Sequence, residues 1–123
     1  VENEKLLETL TNEGPVSIVT WSEGEGHISN TWNSYVQVME DGRWLIPAAG
    51  MRRTQANIER NPHVKLTVAS KEIMGRWAMG IGFLIEGTAK FIETGEEYAM
   101  MKEKFPFLTR VLEISPTSVQ QTL

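Results

Sequence analysis

Arg52 and Arg53 stand side by side before Thr54, directly after the small-residue run Pro47-Ala48-Ala49-Gly50-Met51. The run reads as the end of a strand and the cations as the first turn of a helix. A helix N-terminus presents unpaired N–H groups and partial positive charge, so arginines there oppose the macrodipole by roughly 0.3–1 kcal/mol each. An anion lying between the amides and the guanidinium groups turns that repulsion into attraction. Gly50 lets the backbone approach a ligand closely, with no Cβ in the way. The pattern predicts a phosphate seat. A solvated arginine pair at a surface turn would use the same eight residues.

Asn30-Thr31-Trp32-Asn33-Ser34-Tyr35 is the second unusual segment. Asparagine is depleted in strands, yet two flank a tryptophan in the middle of the longest strand-like run. Aromatics can stack on a flat heterocycle while amides and hydroxyls fix its orientation. The alternative is plain: Trp32 in the core, with the polar residues facing water.

Other chemistry finds little footing. Gly75-x-x-x-x-Gly80 has Walker A spacing, but Ile81-Gly82 follows where lysine and a hydroxyl residue are required. Gly80-x-Gly82 precedes a strand, unlike a dinucleotide fingerprint. It reads as a flexible glycine-rich loop from which Arg76 can reach an anion. His27 and His63 lie far apart, with no serine elbow and no metal-ligand spacing, and read as ordinary strand residues. The acidic pairs Glu40-Asp41 and Glu96-Glu97 fall at a turn and a helix start, where solvated carboxylates belong. An anion seat without acid–base machinery points to chemistry borrowed from a cofactor.

Composition narrows the class. The chain has 123 residues, 41% hydrophobic and 23% charged, as in an ordinary globular domain spanning 1–123. No apolar run approaches the ~18 residues of a membrane span, and the first five residues are no signal n-region. Zero cysteines exclude disulfides and thiolate metal sites and fit the cytoplasm. A net charge of −4 argues against a nucleic-acid partner.

The elements that must position these residues follow from periodicity. A helix is expected from Glu2 to Leu10, with Leu6, Leu7 and Leu10 on one side, ended by Gly14-Pro15. Strands are expected at Val16 to Trp21, His27 to Met39, Arg43 to Ala48, Val64 to Ala69, Phe83 to Ile92 and Val111 to Ile114. In the long second run, Ile28, Trp32, Val36 and Val38 fall on one face; Ser29, Thr31, Asn33, Tyr35 and Gln37 fall on the other. A short helix spans Arg52 to Arg60. Thr94-x-x-Glu97 reads as a capping box before a last helix carrying Tyr98, Met101 and Phe105. The expected fold is mainly β: a six-stranded antiparallel split β-barrel with short flanking helices.

End to end, the chain resembles the small FMN-binding proteins of the pyridoxamine-phosphate-oxidase-like, split-barrel flavoprotein group. The resemblance rests on Asn12-Glu13-Gly14, Asn30 to Tyr35, Pro47 to Thr54 with Ala56-Asn57, Gly82 to Ile85 with Gly87, and Gln121-Thr122-Leu123. It implies a homodimer with one FMN per subunit near the interface. By the same resemblance, Arg53 and Thr54 grip the phosphate, while Asn30, Thr31, Trp32, Asn33 and Tyr35 lie along the ring and ribityl chain. Backbone around Pro47, Ala49 and Gly50 meets the isoalloxazine, and a second copy contributes Phe107 and Leu123. Two positions depart from the pattern: arginine at 53 stands for lysine, and phenylalanine at 107 for tryptophan. The function implied is an FMN-binding redox protein, an electron carrier in the leading reading. A flavin reductase or pyridoxamine-phosphate-oxidase-like enzyme, or a cofactor-free binding module, are the alternatives.

Overall fold

Alternation builds the wall of this molecule. The computed structural model describes residues 3–123. Helix α1 (Glu4–Leu10) starts at Asn3, whose side chain accepts from the Leu6 N–H at 3.1 Å. The expected start at Glu2 lies outside the described residues. Leu6 and Leu10 are buried, whereas Leu7 is on the exposed side, so the apolar stripe is narrower than three leucines suggest.

Strands β1 (Pro15–Thr20), β2 (His27–Trp32), β3 (Gln37–Val38) and β4 (Trp44–Ala48) precede helix α2 (Arg52–Arg60). Then come β5 (His63–Met74), β6 (Met79–Ile92), helix α3 (Glu96–Lys104) and β7 (Arg110–Gln121). All pairings are antiparallel, in the order β2-β1-β5-β6-β7-β4-β3. The sheet has seven strands where the periodicity predicts six, because a 3-10 turn at Asn33–Tyr35 splits the long run into β2 and β3.

That turn also shows how far the sheet curls. β2 and β3 form its two edges, yet Trp32 and Gln37 are joined by a stretch that reaches at most about 18 Å. Seven flat strands would hold their edges about 29 Å apart. The sheet therefore bends into a split barrel whose edges meet at the turn. Inside lie Val16, Ile18, Leu66, Val68, Phe83, Ile85, Leu112 and Ile114, all essentially inaccessible. Each such side chain stabilises the fold by about 1.5–3 kcal/mol. A second cluster of Leu45, Met101, Leu108 and Val111 seats α3 on the outer surface, with Tyr98 and Phe105 half-buried beside it.

Three local expectations are corrected. First, α3 begins at Gly95 with no side-chain cap, and Glu97 turns instead to Arg43 at 2.6 Å, where an ion pair replaces the capping box. Second, β7 does not stop at Ser115-Pro116. Pro116 sits where the β6–β7 register shifts, a place in a sheet that tolerates a residue without an N–H. Third, the glycine-rich segment is the tip of the long β5–β6 hairpin: Gly75 bonds Ala78, and Gly80 and Gly82 belong to β6. Arg76 there lies over the Trp77 ring at 4.9 Å.

Candidate functional site

The split in the barrel holds a hollow of about 360 Å³. β2 supplies Ser29, Asn30, Thr31 and Trp32; the 3-10 turn supplies Tyr35; the end of β4 and the following loop supply Pro47, Ala49, Gly50 and Met51. Phe107, between α3 and β7, closes one side. Eight of the twelve side chains or backbone segments singled out from the sequence meet here. They are Asn30, Thr31, Trp32, Tyr35, Pro47, Ala49, Gly50 and Phe107.

The apolar side chains of β2 take the open face of the strand. Ile28 and Trp32 are 64% and 51% exposed, while Thr31 and Asn33 are buried. The hollow explains this: Trp32 rims an opening and has no core to enter. Phe107, also half-exposed, faces Tyr35 with ring centroids 5.7 Å apart, and Tyr35 leans on Phe105 at 5.3 Å. The chain's own Phe107 thus lines its own hollow, whereas the resemblance implied it from a second copy.

Asn33 leaves the hollow altogether. Its amide nitrogen donates to the carbonyls of Thr9, Asn12 and Ala69 at 3.3, 2.8 and 2.9 Å. It ties the end of α1 to β5 and fixes the turn that splits the strand. Gly14 is required beside it, since a Cβ there would overlap the Ala69 carbonyl. Leu123 does not line this hollow either; its carbonyl accepts from the Arg76 N–H at 2.8 Å near the β5–β6 hairpin tip.

The segment expected to seat an anion opens α2. Met51, at φ 61°, makes the left-handed turn into the helix, so the strained position is Met51 and not Gly50. No side chain caps this N-terminus, leaving its N–H groups open. Arg52 and Arg53 are exposed on the first turn. Thr54 is fully buried, and its hydroxyl meets that of Ser29 at 3.1 Å. Ser29 therefore presents a hydroxyl to the hollow with Thr54 behind it. Nearby, Glu13 accepts from the Ser34 hydroxyl at 2.8 Å and from the Ser34 N–H at 3.2 Å. These two bonds hold its carboxyl below the usual carboxylate range.

Behind the hollow lies a buried cation. Arg110 is 2% exposed and has no carboxylate partner among the described residues. Its guanidinium donates to the carbonyls of Ala49, at 2.9 Å, and Gly50, and to the Gln55 side chain. The Phe91 ring covers it at 5.2 Å. Burial first, then the charge of Arg52, pushes its pKa down from the ordinary value. The only sequence signal was a cation opening the apolar run Val111-Leu112.

A larger hollow of about 580 Å³ lies on the far side of α2, lined by Gln55, Glu59, Lys90, Phe91 and Glu93 among others. Its two carboxylates disfavour an anion, and no predicted site residue reaches it.

Comparison with known proteins places the chain. It is 40% identical over 118 residues, 96% of each chain, to the FMN-binding protein of Nitratidesulfovibrio vulgaris (strain DSM 19637 / Miyazaki F). Its fold matches the solved structure of an FMN-binding protein from Syntrophomonas wolfei subsp. wolfei, with TM-score 0.76 at 15% identity, over 98% of this chain and 88% of that one. HupZ from Group A Streptococcus matches with TM-score 0.80 at 16% identity, over 98% and 94%. At such identities these two structures speak for the fold alone. The sequence profile of pyridoxamine 5'-phosphate oxidase covers residues 3–123, and with the curved antiparallel sheet and the 40% identical relative it establishes that the chain belongs to that family.

Proposed function

We propose that this protein binds FMN non-covalently and carries electrons. The observation that bears most weight is a juxtaposition. The open N-terminus of α2, with Arg52 and Arg53 on its first turn, adjoins the hollow rimmed by Trp32, Tyr35 and Phe107. A phosphate suits the first feature and a flat heterocycle the second, and FMN carries both on one molecule. The 40% identical FMN-binding relative supports the same choice.

The residues fit the group. Helix amides, Arg53 and the Ser29 hydroxyl take the phosphate, with Thr54 holding Ser29 in place. Asn30 and Thr31 orient the ribityl chain and ring edge; the aromatic rim supplies dispersion and stacking. Bound FMN supplies one- and two-electron redox chemistry. The protein's part is to bind it, limit water and set its potential. Of the lining side chains, Tyr35 is the sole titratable one among the described residues, which favours carriage over proton-coupled turnover of a substrate.

A homodimer in the cytoplasm is part of the proposal. Trp32 and Phe107 at the mouth, Ile28 on the same strand as Trp32, and Met74, Trp77 and Met79 by the hairpin that meets Leu123, are large apolar side chains left exposed. A second copy covering them would exclude water from the flavin and bring Leu123 towards it. No helix is long and apolar enough to cross a membrane among the described residues.

The test is an absorbance spectrum of the purified protein with extraction and identification of any yellow compound. FMN at one per chain is the expected result; a chain that stays colourless with added FMN would overturn the reading. Catalytic bleaching by NAD(P)H or a small substrate would replace the carrier by an enzyme. Sedimentation as a monomer at micromolar concentration would remove the dimer.

A further inference from the structure

A buried arginine with no carboxylate partner needs a reason, because its desolvation is costly unless its donors are used. The two terminal nitrogens of Arg110 donate to two consecutive backbone carbonyls, those of Ala49 and Gly50, and to the Gln55 side chain, while its Nε has no hydrogen-bond partner among the described residues. The Thr109 hydroxyl, at 3.2 Å, also donates to the Ala49 carbonyl. Every peptide bond here is trans. In a trans peptide the N–H points opposite to the carbonyl of the same plane. The partners of these two carbonyls are the N–H groups of Gly50 and Met51. Neither makes a hydrogen bond among the described residues. Both residues line the hollow, and Arg110 does not.

We infer that Arg110 is a positioning residue that turns the Gly50 and Met51 N–H groups towards the hollow as a fixed pair of donors for an acceptor edge of the flavin ring. This rests on the FMN reading above. One terminal nitrogen, Nη2, bridges the two carbonyls while Nη1 is held by the Gln55 side chain on α2, so the guanidinium clamps both peptides to the helix. Phe91 over the guanidinium keeps water from competing for those carbonyls. Without the guanidinium, the Ala49 carbonyl keeps only the Thr109 hydroxyl and the Gly50 carbonyl loses its side-chain donor, so the Gly50–Met51 peptide plane above all can rotate and offer its oxygen to the ring instead. An oxygen lone pair facing an electron-rich ring disfavours reduction, whereas an N–H favours it. The arginine therefore acts on the flavin's potential without touching it.

The test measures FMN affinity in the oxidised and reduced states, for the wild-type chain, Arg110→Met and Arg110→Lys. In Arg110→Met, affinity for reduced FMN should fall about tenfold more than for oxidised FMN, a potential about 30 mV lower for a two-electron couple. Arg110→Lys should recover part of that loss. A lower melting temperature with an unchanged potential would make Arg110 structural only and overturn the inference. Should neither variant fold, the wild-type chain still decides. Its Gly50 and Met51 amide protons should move downfield when FMN binds and further on reduction; resonances that stay put overturn the inference. Wild-type protein that takes up no FMN defeats the functional reading itself, a result distinct from bound FMN with unmoved amides.

Discussion

The hydroxyls of Ser29 and Thr54 meet at 3.1 Å, so the first turn of α2 is pinned to strand β2 by one side-chain bond. Thr54 is fully buried and Ser29 lines the hollow. If phosphate is taken here, the threonine acts through the serine. Thr54→Val and Ser29→Ala should each weaken FMN about tenfold, the scale of one lost hydrogen bond of about 1.4 kcal/mol. The double variant should lose little more than either single one. A double-mutant cycle by flavin fluorescence titration reads this directly, and additive losses would separate the two residues.

Arg53 distinguishes ligands by charge. Arg53→Ala should cost FMN about 1.5–3 kcal/mol, the range for hydrogen bonds to a charged group. Riboflavin, which lacks the phosphate, should bind within about twofold of wild type on the same physical grounds. The FMN affinity of the wild type should also fall with added salt more steeply than that of the variant. Equal losses for the two flavins would remove Arg53 from the phosphate seat.

Asn33 belongs to the architecture. Asn33→Leu takes its amide from the carbonyls of Asn12 and Ala69, while that of Thr9 keeps the Asn12 N–H, and each stranded buried group costs on the order of 1–3 kcal/mol. Urea unfolding should show a loss of about 3 kcal/mol, near the low end of that sum. The FMN-to-riboflavin preference of the folded fraction should persist, because the amide does not line the hollow.

Arg43 sets the response to acid. It joins Asp41 at 2.8 Å, Glu97 at 2.6 Å and Glu113 at 2.9 Å, tying the start of β4 to α3 and β7. Hydrogen bonds to Arg43 hold the Glu97 and Asp41 carboxyls below their ordinary values of 4.5 and 3.8. The unfolded chain therefore binds more protons in this range. The stability from these pairs is complete above about pH 4.5 and is lost as pH falls through the lowered folded values. Arg43→Met should cost about 1–2 kcal/mol at neutral pH, between exposed and buried pairs. It should also flatten the decline of melting temperature below pH 4.5. A variant as acid-sensitive as wild type would place the pH dependence elsewhere.

Much of this was legible from residue order. The alternation of Val64, Leu66 and Val68 marks β5, and α2 runs from Arg52 to Arg60 as its flanks predict. Pro47, Ala49, Gly50 and Met51 of one segment and Asn30, Thr31, Trp32 and Tyr35 of the other line one hollow, while Arg52, Arg53 and Thr54 stand outside its lining. Three things were hidden, each for a physical reason. The break at Asn33–Tyr35 is invisible because a period-two pattern continues through it. The outward placement of Trp32 follows from a hollow that gives it somewhere to sit outside the core. Arg110 is a strand-opening cation in sequence; its role appears only when the fold lays it behind Ala49 and Gly50, sixty residues away in the chain.

The seam between β2 and β3 carries a wider consequence. Every other boundary in the wall is stitched by a ladder, while this one is spanned by a short turn alone. Parting that line breaks no strand pairing, so it is the least costly deformation open to the barrel. The flavin proposed for the adjoining hollow would enter and leave along it without unpairing a strand.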